Sequence, residues 1–257
     1  MAHCYFDESI RDNGGFIIGA LVASDRDLSL VVANEWTRLG LDPETYEYKS
    51  SDLKAGSRLG VSQRSAMSGL LFNAKLGLVV APIDDRRNLG VHCTQLMLQL
   101  LDTESIPHEL HHVYLDEGII MKPGDTELLA ARGVVANPGS DSRRVGGIQV
   151  ADHAAHSLGG MLLEEMGIIR KKIRAGADSG YDPDEMIELG FELWADTRYS
   201  LIGRNEYIEG LSPPADDPAN PYFRVDGVGM YVAPTCSPEL SAFARKRLGV
   251  NYLGCIH

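Results

Sequence analysis

The chain has 257 residues, a formal net charge of −12, 44% hydrophobic residues and 23% charged residues. That length suits one large domain or a domain with an appendage, and the composition is that of an ordinary globular protein. The acidic balance excludes a protein that coats nucleic acid through a generally basic surface, because phosphate binding draws on basic side chains. It leaves room for an acidic metal site beside a local basic patch, for which Arg143–Arg144, "RKKIR" (170–174) and "RKR" (245–247) are candidates.

The opening "AHCYFDES" and "GGFIIGALVAS" read as two strands joined by the turn signal "RDNGG". Ser24 or Asp25 is the expected cap of a helix over "RDLSLVVANEWTRLG", which Gly40 ends. A polar stretch, "LDPETYEYKSSDLKAGS", precedes a helix over "SQRSAMSGLLFNAKL". "LGLVVAPID" reads as a strand, "GVHCTQLMLQLL" as a helix and "LHHVYLDEG" as a strand ending in acids. "TELLAARG", "VVAN" and "GIQVADHAAHSLGG" follow as helix, strand and helix. Beyond them, "DPDEMIELGFELWADTRYS" has helical pattern and "LSPPADDPANP" is a connector. "YFRVDGVGMYVAP" suggests a strand or hairpin, and "SPELSAFARKRLGV" a last helix.

A hairpin followed by alternating helices and strands points to an α/β layered domain with a mixed β-sheet flanked by helices. The expected division is 1–176 for this domain and 177–257 for a C-terminal α/β extension packed on it. Cys4, Cys93, Cys236 and Cys255 are scattered, with neither zinc-ligand spacing nor a disulfide framework. "MAHCYFDESI" lacks a charged leader and apolar core, and no apolar run approaches the ~20 residues of a membrane helix. The reading is of a cytoplasmic protein with no membrane span.

Two strands end alike, in Asp7–Glu8 and in Asp116–Glu117. Strand-end acids are common turn formers, but the ends of strands are also where ligands bind. Successive strand residues face opposite sides, so one acid of each pair can reach a shared site, and Asp7 and Asp116 match in position. Glu47 and Lys49 lie in the polar "YEYKSS". Asp152 interrupts an otherwise small or apolar helix, with His153 and His156 beside it. A buried carboxylate needs a partner, and several converging carboxylates need cations between them. Hard divalent ions with oxygen ligands, Mg²⁺ or Mn²⁺, meet that need. Two such ions roughly 3.5–4 Å apart would clamp a phosphodiester and activate water. Asp7, Asp116 and Asp152 should then lie close enough to share one or two ions, with Glu47 on a displaceable loop. His156, four residues after Asp152, could orient that carboxylate, bind metal or move a proton, whereas His153 reads as a packed histidine.

"YFDES", "YEYKSS", "YLDEG" and "GIQVADHAAH", in that order, resemble the bacterial and phage family known as domain of unknown function 3800. The resemblance covers about Ala2 to Met166 and implies an RNase H-like fold. By it, Asp7, Glu47, Asp116 and Asp152 form the acidic, metal-holding cluster, with Lys49 and Gln149 as companions. Glu8, Glu117 and His156 are further candidates for its surroundings. Ile10 stands where the family has Gly, and His153 and His156 occupy positions often apolar there. The resemblance implies a metal-dependent nuclease acting on RNA or DNA. A non-catalytic RNase H-like nucleic-acid-binding or regulatory protein is the alternative.

"HELHH" (108–112) matches the zinc-hydrolase pattern H-E-x-x-H literally. Pro107 and the β-like run after it argue for a strand from Leu110 to Asp116, with His111 and His112 on opposite sides. In an extended chain the histidines do not converge on one ion. No Gly-rich phosphate loop or G-x-S-x-G elbow is present.

Overall fold

The computed structural model describes residues 2–52, 57–175, 181–213 and 220–254. The boundary expected between 176 and 177, and Cys255, lie outside the described residues.

The opening hairpin consists of β1 (Ala2–Arg11) and β2 (Phe16–Ser24), paired antiparallel with His3 opposite Ser24 and Arg11 opposite Phe16. Its turn is a short 3₁₀ segment ended by Gly15 at φ 67°, a left-handed conformation that glycine adopts at no steric cost. α1 (Leu28–Arg38) follows. Its cap is Asp27 rather than Ser24 or Asp25, because the Asp27 carboxylate accepts both the Ser29 N–H and the Tyr5 hydroxyl of β1. α2 (Arg58–Phe72), β3 (Lys75–Pro82), α3 (Leu89–Asp102), β4 (His111–Asp116), α4 (Pro123–Ala130), β5 (Val134–Ser140) and α5 (Gly147–Glu165) come next, in the expected order.

The later elements are shorter and more divided than their patterns imply. β6 (Lys172–Arg174) and β7 (Met186–Glu188) form a two-stranded ribbon, so the helix expected from Asp182 is confined to α6 (Leu189–Thr197). β8 (Arg204–Asn205), β9 (Tyr222–Arg224), β10 (Met230–Val232), α7 (Pro238–Leu248) and β11 (Val250–Tyr252) complete the chain. β9 and β10 do not pair as a hairpin. β9 lies between β8 and β11, while β10 joins the main sheet beside β3.

The main sheet has six strands in the order β10-β3-β2-β1-β4-β5, and β2 alone runs against the other five. Alternation along β1 explains its two cores. Tyr5 packs with α1, α2, α5 and α7 side chains such as Val32, Met67, Ile148 and Leu240 on one face. Cys4 and Phe6 pack with Leu96, Leu100 and Leu129 of α3 and α4 on the other. The result is a mixed sheet between two helical layers, with the tail supplying an edge strand and part of the α5-side core. Among the described residues, no helix is long and apolar enough to cross a membrane.

Candidate functional site

The chain runs from β1 outward to β2 and β3, then crosses to β4 on the other side of β1. That reversal places a crevice at the carboxyl ends of β1 and β4, where ligands of open α/β sheets bind. The register pairs Phe6 with Leu115, so Asp7 and Asp116 are the next residues on adjacent parallel strands. Both alternate with tyrosines, Tyr5 and Tyr114, that belong to the α5-side core, so both carboxylates face α5. Glu8 faces the α3 side with Phe6, where Arg86 approaches it at 3.7 Å. Glu8 still acts on Asp7 and Asp116 from that side, and Glu117 is exposed beyond the strand end.

α5 brings Asp152 to the same place. The helix sits close against β1 because Gly147 has no side chain: a Cβ there would stand 2.5 Å from the Tyr5 ring. Asp7 is only 6% exposed. Burial first, then the charges of Asp116 and Asp152, push its carboxyl well above the usual range. Burial also raises Asp116 and Asp152, with Lys49 opposing the shift at both and Asp116 adding to it at Asp152. Mutual repulsion of this kind is the physical mark of acids gathered from β1, β4 and α5.

The loop carrying Glu47 and Lys49 is tied down by Gln149, a companion the resemblance implies, and by Ser50 and Ser142, which the sequence did not single out. Gln149 Oε1 accepts the Tyr48 N–H and the Trp36 indole N–H, each at 3.0 Å, while its Nε2 donates to the Ser142 carbonyl at 2.8 Å. Ser50 N–H donates to Asp152 Oδ2 at 2.7 Å. Glu47 accepts from Lys49 Nζ at 2.8 Å and from the Ser142 hydroxyl. Burial of Glu47 opposes ionisation, but these two donors outweigh it and hold its carboxyl below the usual range. Burial likewise works against the Lys49 ammonium, yet Glu47, Asp116 and Asp7 together raise it. Lys49 is thus paired with Glu47 and feels the charges of Asp116 and Asp7.

Among the described residues, no three His, Cys, Asp or Glu side chains are arranged to hold a metal ion. Asp152 and Glu47 are turned to Ser50, Lys49 and Ser142, which satisfy them locally. The donor chemistry nevertheless fits a hard divalent cation: the acids supply carboxylate oxygens, several of them held above their usual pKa by burial first and by neighbouring acids second.

The histidines divide. His153 is buried between the Tyr48 hydroxyl at 2.9 Å and the Ser68 hydroxyl at 3.1 Å, a packed and satisfied ring. Burial, then the neighbouring His156 and Arg64, lowers it to about 4. His156 is lowered to about 4 by burial, then by Arg11 and Arg64, so it is neutral at pH 7. Arg11 was not legible as a site residue. Its guanidinium lies over Gly159, where a Cβ would stand 2.5 Å from Nε, and it donates to the His156 carbonyl at 2.6 Å. It faces the Asp152 charge.

"HELHH" is not a zinc site. His111–Asp116 is a strand, His111 is fully buried with Nε2 2.7 Å from the Pro107 carbonyl, and His108 and Glu109 precede the strand. Of the basic patches, Arg143 and Arg144 line a cavity of about 580 Å³ beside Ser29 and Glu44, and the Arg143 charge is felt by Glu47 and Glu117. Arg170, Lys171 and Lys172 line a separate cavity at the far end of α5 with Trp194 and Arg247.

No family model matches the chain, and no curated protein matches it. Among solved structures, a chain of the PCNA:RNase HII complex from Archaeoglobus fulgidus is similar over 72% of this chain and 84% of its own, at 15% identity and a TM-score of 0.39. A likeness of that degree leaves the fold class to rest on the sheet order itself.

Proposed function

We propose that this protein is a metal-dependent nuclease with an RNase H-like core, in keeping with the resemblance to domain of unknown function 3800. The observation that carries the reading is that Asp7 and Asp116 follow the paired Phe6 and Leu115 on adjacent parallel strands while α5 brings Asp152 near, so that both neighbouring charges act on the buried Asp7. The sheet order, a three-stranded antiparallel meander continued by two parallel strands on the far side of β1, supports the same reading.

Asp7, Asp116 and Asp152, with Glu47 swung from Lys49, are the residues that would hold Mg²⁺ or Mn²⁺. When bound, such ions neutralise a phosphodiester and supply activated water. The chain's own groups do the rest. Gln149 fixes the loop so that Glu47 and Lys49 face the crevice. Lys49 balances the acids while they carry no cation, and is placed to meet a phosphate oxygen. Arg11, bound to the His156 carbonyl, adds a further positive charge facing Asp152.

The test is incubation of the purified chain, with Mg²⁺ or Mn²⁺, with end-labelled single-stranded RNA, single-stranded DNA and an RNA–DNA hybrid. Cleavage of one of them by the protein, lost in Asp7→Asn and Asp152→Asn, is the expected result. Full activity in both variants, or no cleavage with any metal, overturns the reading. The second reading, a non-catalytic nucleic-acid-binding protein that keeps the acids, is favoured by one observation: Asp152 and Glu47 are satisfied by the chain's own donors. It is distinguished by strand binding without any cut.

A further inference from the structure

The sheet face that carries Asp7 and Asp116 continues, away from the carboxylates, as rows of rings. His3 pairs with His112 across β1 and β4, and His112 with Val135 on β5. Tyr5 pairs with Tyr114, and Tyr114 with Asn137. The third row is Asp7, then Asp116 paired with Ser140. All of these residues but Ser140, which follows a register shift in β5, share one face by alternation. The rings are nearly parallel: His3 and Tyr114 are 6.3 Å apart at 6°, His3 and His112 6.4 Å at 22°, and His112 and Tyr114 6.2 Å at 18°. Tyr5 is buried, but His3, His112 and Tyr114 are partly exposed and Val135 is 42% exposed. α5 lies across β1 and β2, whereas β5 packs chiefly on β4 and on α4 of the opposite layer. On the β4–β5 half of the face, His112 and Tyr114 thus keep part of their rings open to solvent, Tyr114 while packing against the α5-side core.

We infer that His112, Tyr114 and His3 form a stacking platform for unpaired bases of a single-stranded nucleic acid whose backbone passes the acidic crevice. This inference rests on the nuclease reading and names the form of its substrate. Three features favour that occupant. Rings stack on bases of any sequence, because every base has a π-face. Four residues along a strand are about 13 Å, so bases adjoining a phosphate at Asp7 and Asp116 reach the rings without a gap. Arg144 supplies positive charge at a neighbouring cavity, where Arg143 is held by Asp141 at 2.9 Å. A duplex would keep its bases stacked on one another and offer the rings nothing to receive.

The experiment measures fluorescence anisotropy of a labelled twelve-nucleotide single strand, as DNA and as RNA, and of the matching duplex. The full chain is used in EDTA, so that binding is read without cleavage. The platform requires that both or one of the single strands bind more tightly than the duplex. His112→Ala with Tyr114→Ala should weaken that binding about tenfold, the order seen when a stacking ring is removed. Tyr114→Phe, which keeps the ring, should stay within about twofold of the parent. Arg144→Ala should lower the slope of log affinity against log salt by about 1. Thermal melting confirms folding, and His112→Ala alone serves if the double variant does not fold. Unchanged affinity in a folded variant, equal duplex affinity, or variant-sensitive self-association in place of strand binding overturns the platform. Asp7→Asn separates the two inferences: it is expected to bind the strand at least as tightly as the parent and to fail to cut it. Strand binding that depends on the rings in a protein that never cuts overturns the nuclease reading and leaves the platform standing.

Discussion

Gln149 on α5 holds the backbone of Tyr48, accepting its N–H at 3.0 Å, and so fixes a loop that has no regular secondary structure of its own. The same amide takes the Trp36 indole and reaches the Ser142 carbonyl. Replacing Gln149 with Leu leaves two buried donors and one carbonyl unpartnered. Each orphaned group costs about 1–3 kcal/mol, so a loss of about 3 kcal/mol is expected in denaturant unfolding. Cleavage should fall with it even at temperatures where the variant is folded, because Glu47 and Lys49 lose their fixed position. A variant as stable as the parent removes Gln149 from this role.

Asp7→Asn keeps the shape of the side chain and deletes one repulsive charge. Without metal the variant should melt at or above the parent's temperature, since burial and two neighbouring acids already oppose the Asp7 charge. A divalent ion bound by the folded state alone adds roughly 2.7 kcal/mol at a hundredfold excess over its dissociation constant. Mg²⁺ or Mn²⁺ should therefore raise the parent's melting temperature and do so much less for Asp7→Asn and Asp152→Asn. Collapse of both variants without metal would make the acids structural partners of basic groups instead.

Acidification separates two opposed contributions. His153 and His156 are held near pH 4 against an ordinary 6.5, so their stability is present above 6.5 and is lost as pH falls toward 4. Asp7 runs the other way. Its folded pKa is raised, the folded state takes up a proton before the unfolded chain does, and stability is gained as pH falls through the raised value. In the metal-free protein the second effect blunts the first. Asp7→Asn should consequently lose melting temperature more steeply than the parent between pH 6.5 and 4. Parallel profiles would show that Asp7 is not the opposing group.

Asp85 provides a control remote from the acids. Its carboxylate accepts from Thr235 at 2.6 Å and Asn88 at 2.5 Å and meets His92 at 2.8 Å, joining the segment after β3 to α3 and to the residues following β10. Burial opposes its ionisation, and these three partners outweigh it and lower its pKa. Asp85→Ala should destabilise by about 3–5 kcal/mol, the scale of breaking a buried charged network. Metal-induced stabilisation, measured as the difference between melts with and without Mn²⁺, should survive in the folded fraction. Loss of that difference would couple the network to the site.

Periodicity alone places β1 to β5, α2, α3 and α5, because apolar spacing records which side of an element is buried. It also distinguishes Asp7 from Glu8 and Asp116 from Glu117, since alternation on a strand is local geometry. The strand beneath "HELHH" is likewise legible from Pro107 and the run that follows. What a residue pairs with is not local. That β10 leaves β9 to join β3, that Met186–Glu188 finds Lys172–Arg174, and that Asp27 rather than Ser24 caps α1 each depend on a partner elsewhere in the chain. So do Ser142, Tyr48 and Arg11, whose types are common and whose spacing carries no signal. The sequence by itself determined which acids lie on strand ends and on a packed helix. Only the tertiary structure decided that Asp116 and Asp152 come near enough for their charges to act on Asp7, because that proximity comes from strand order and the close seating of α5 on β1.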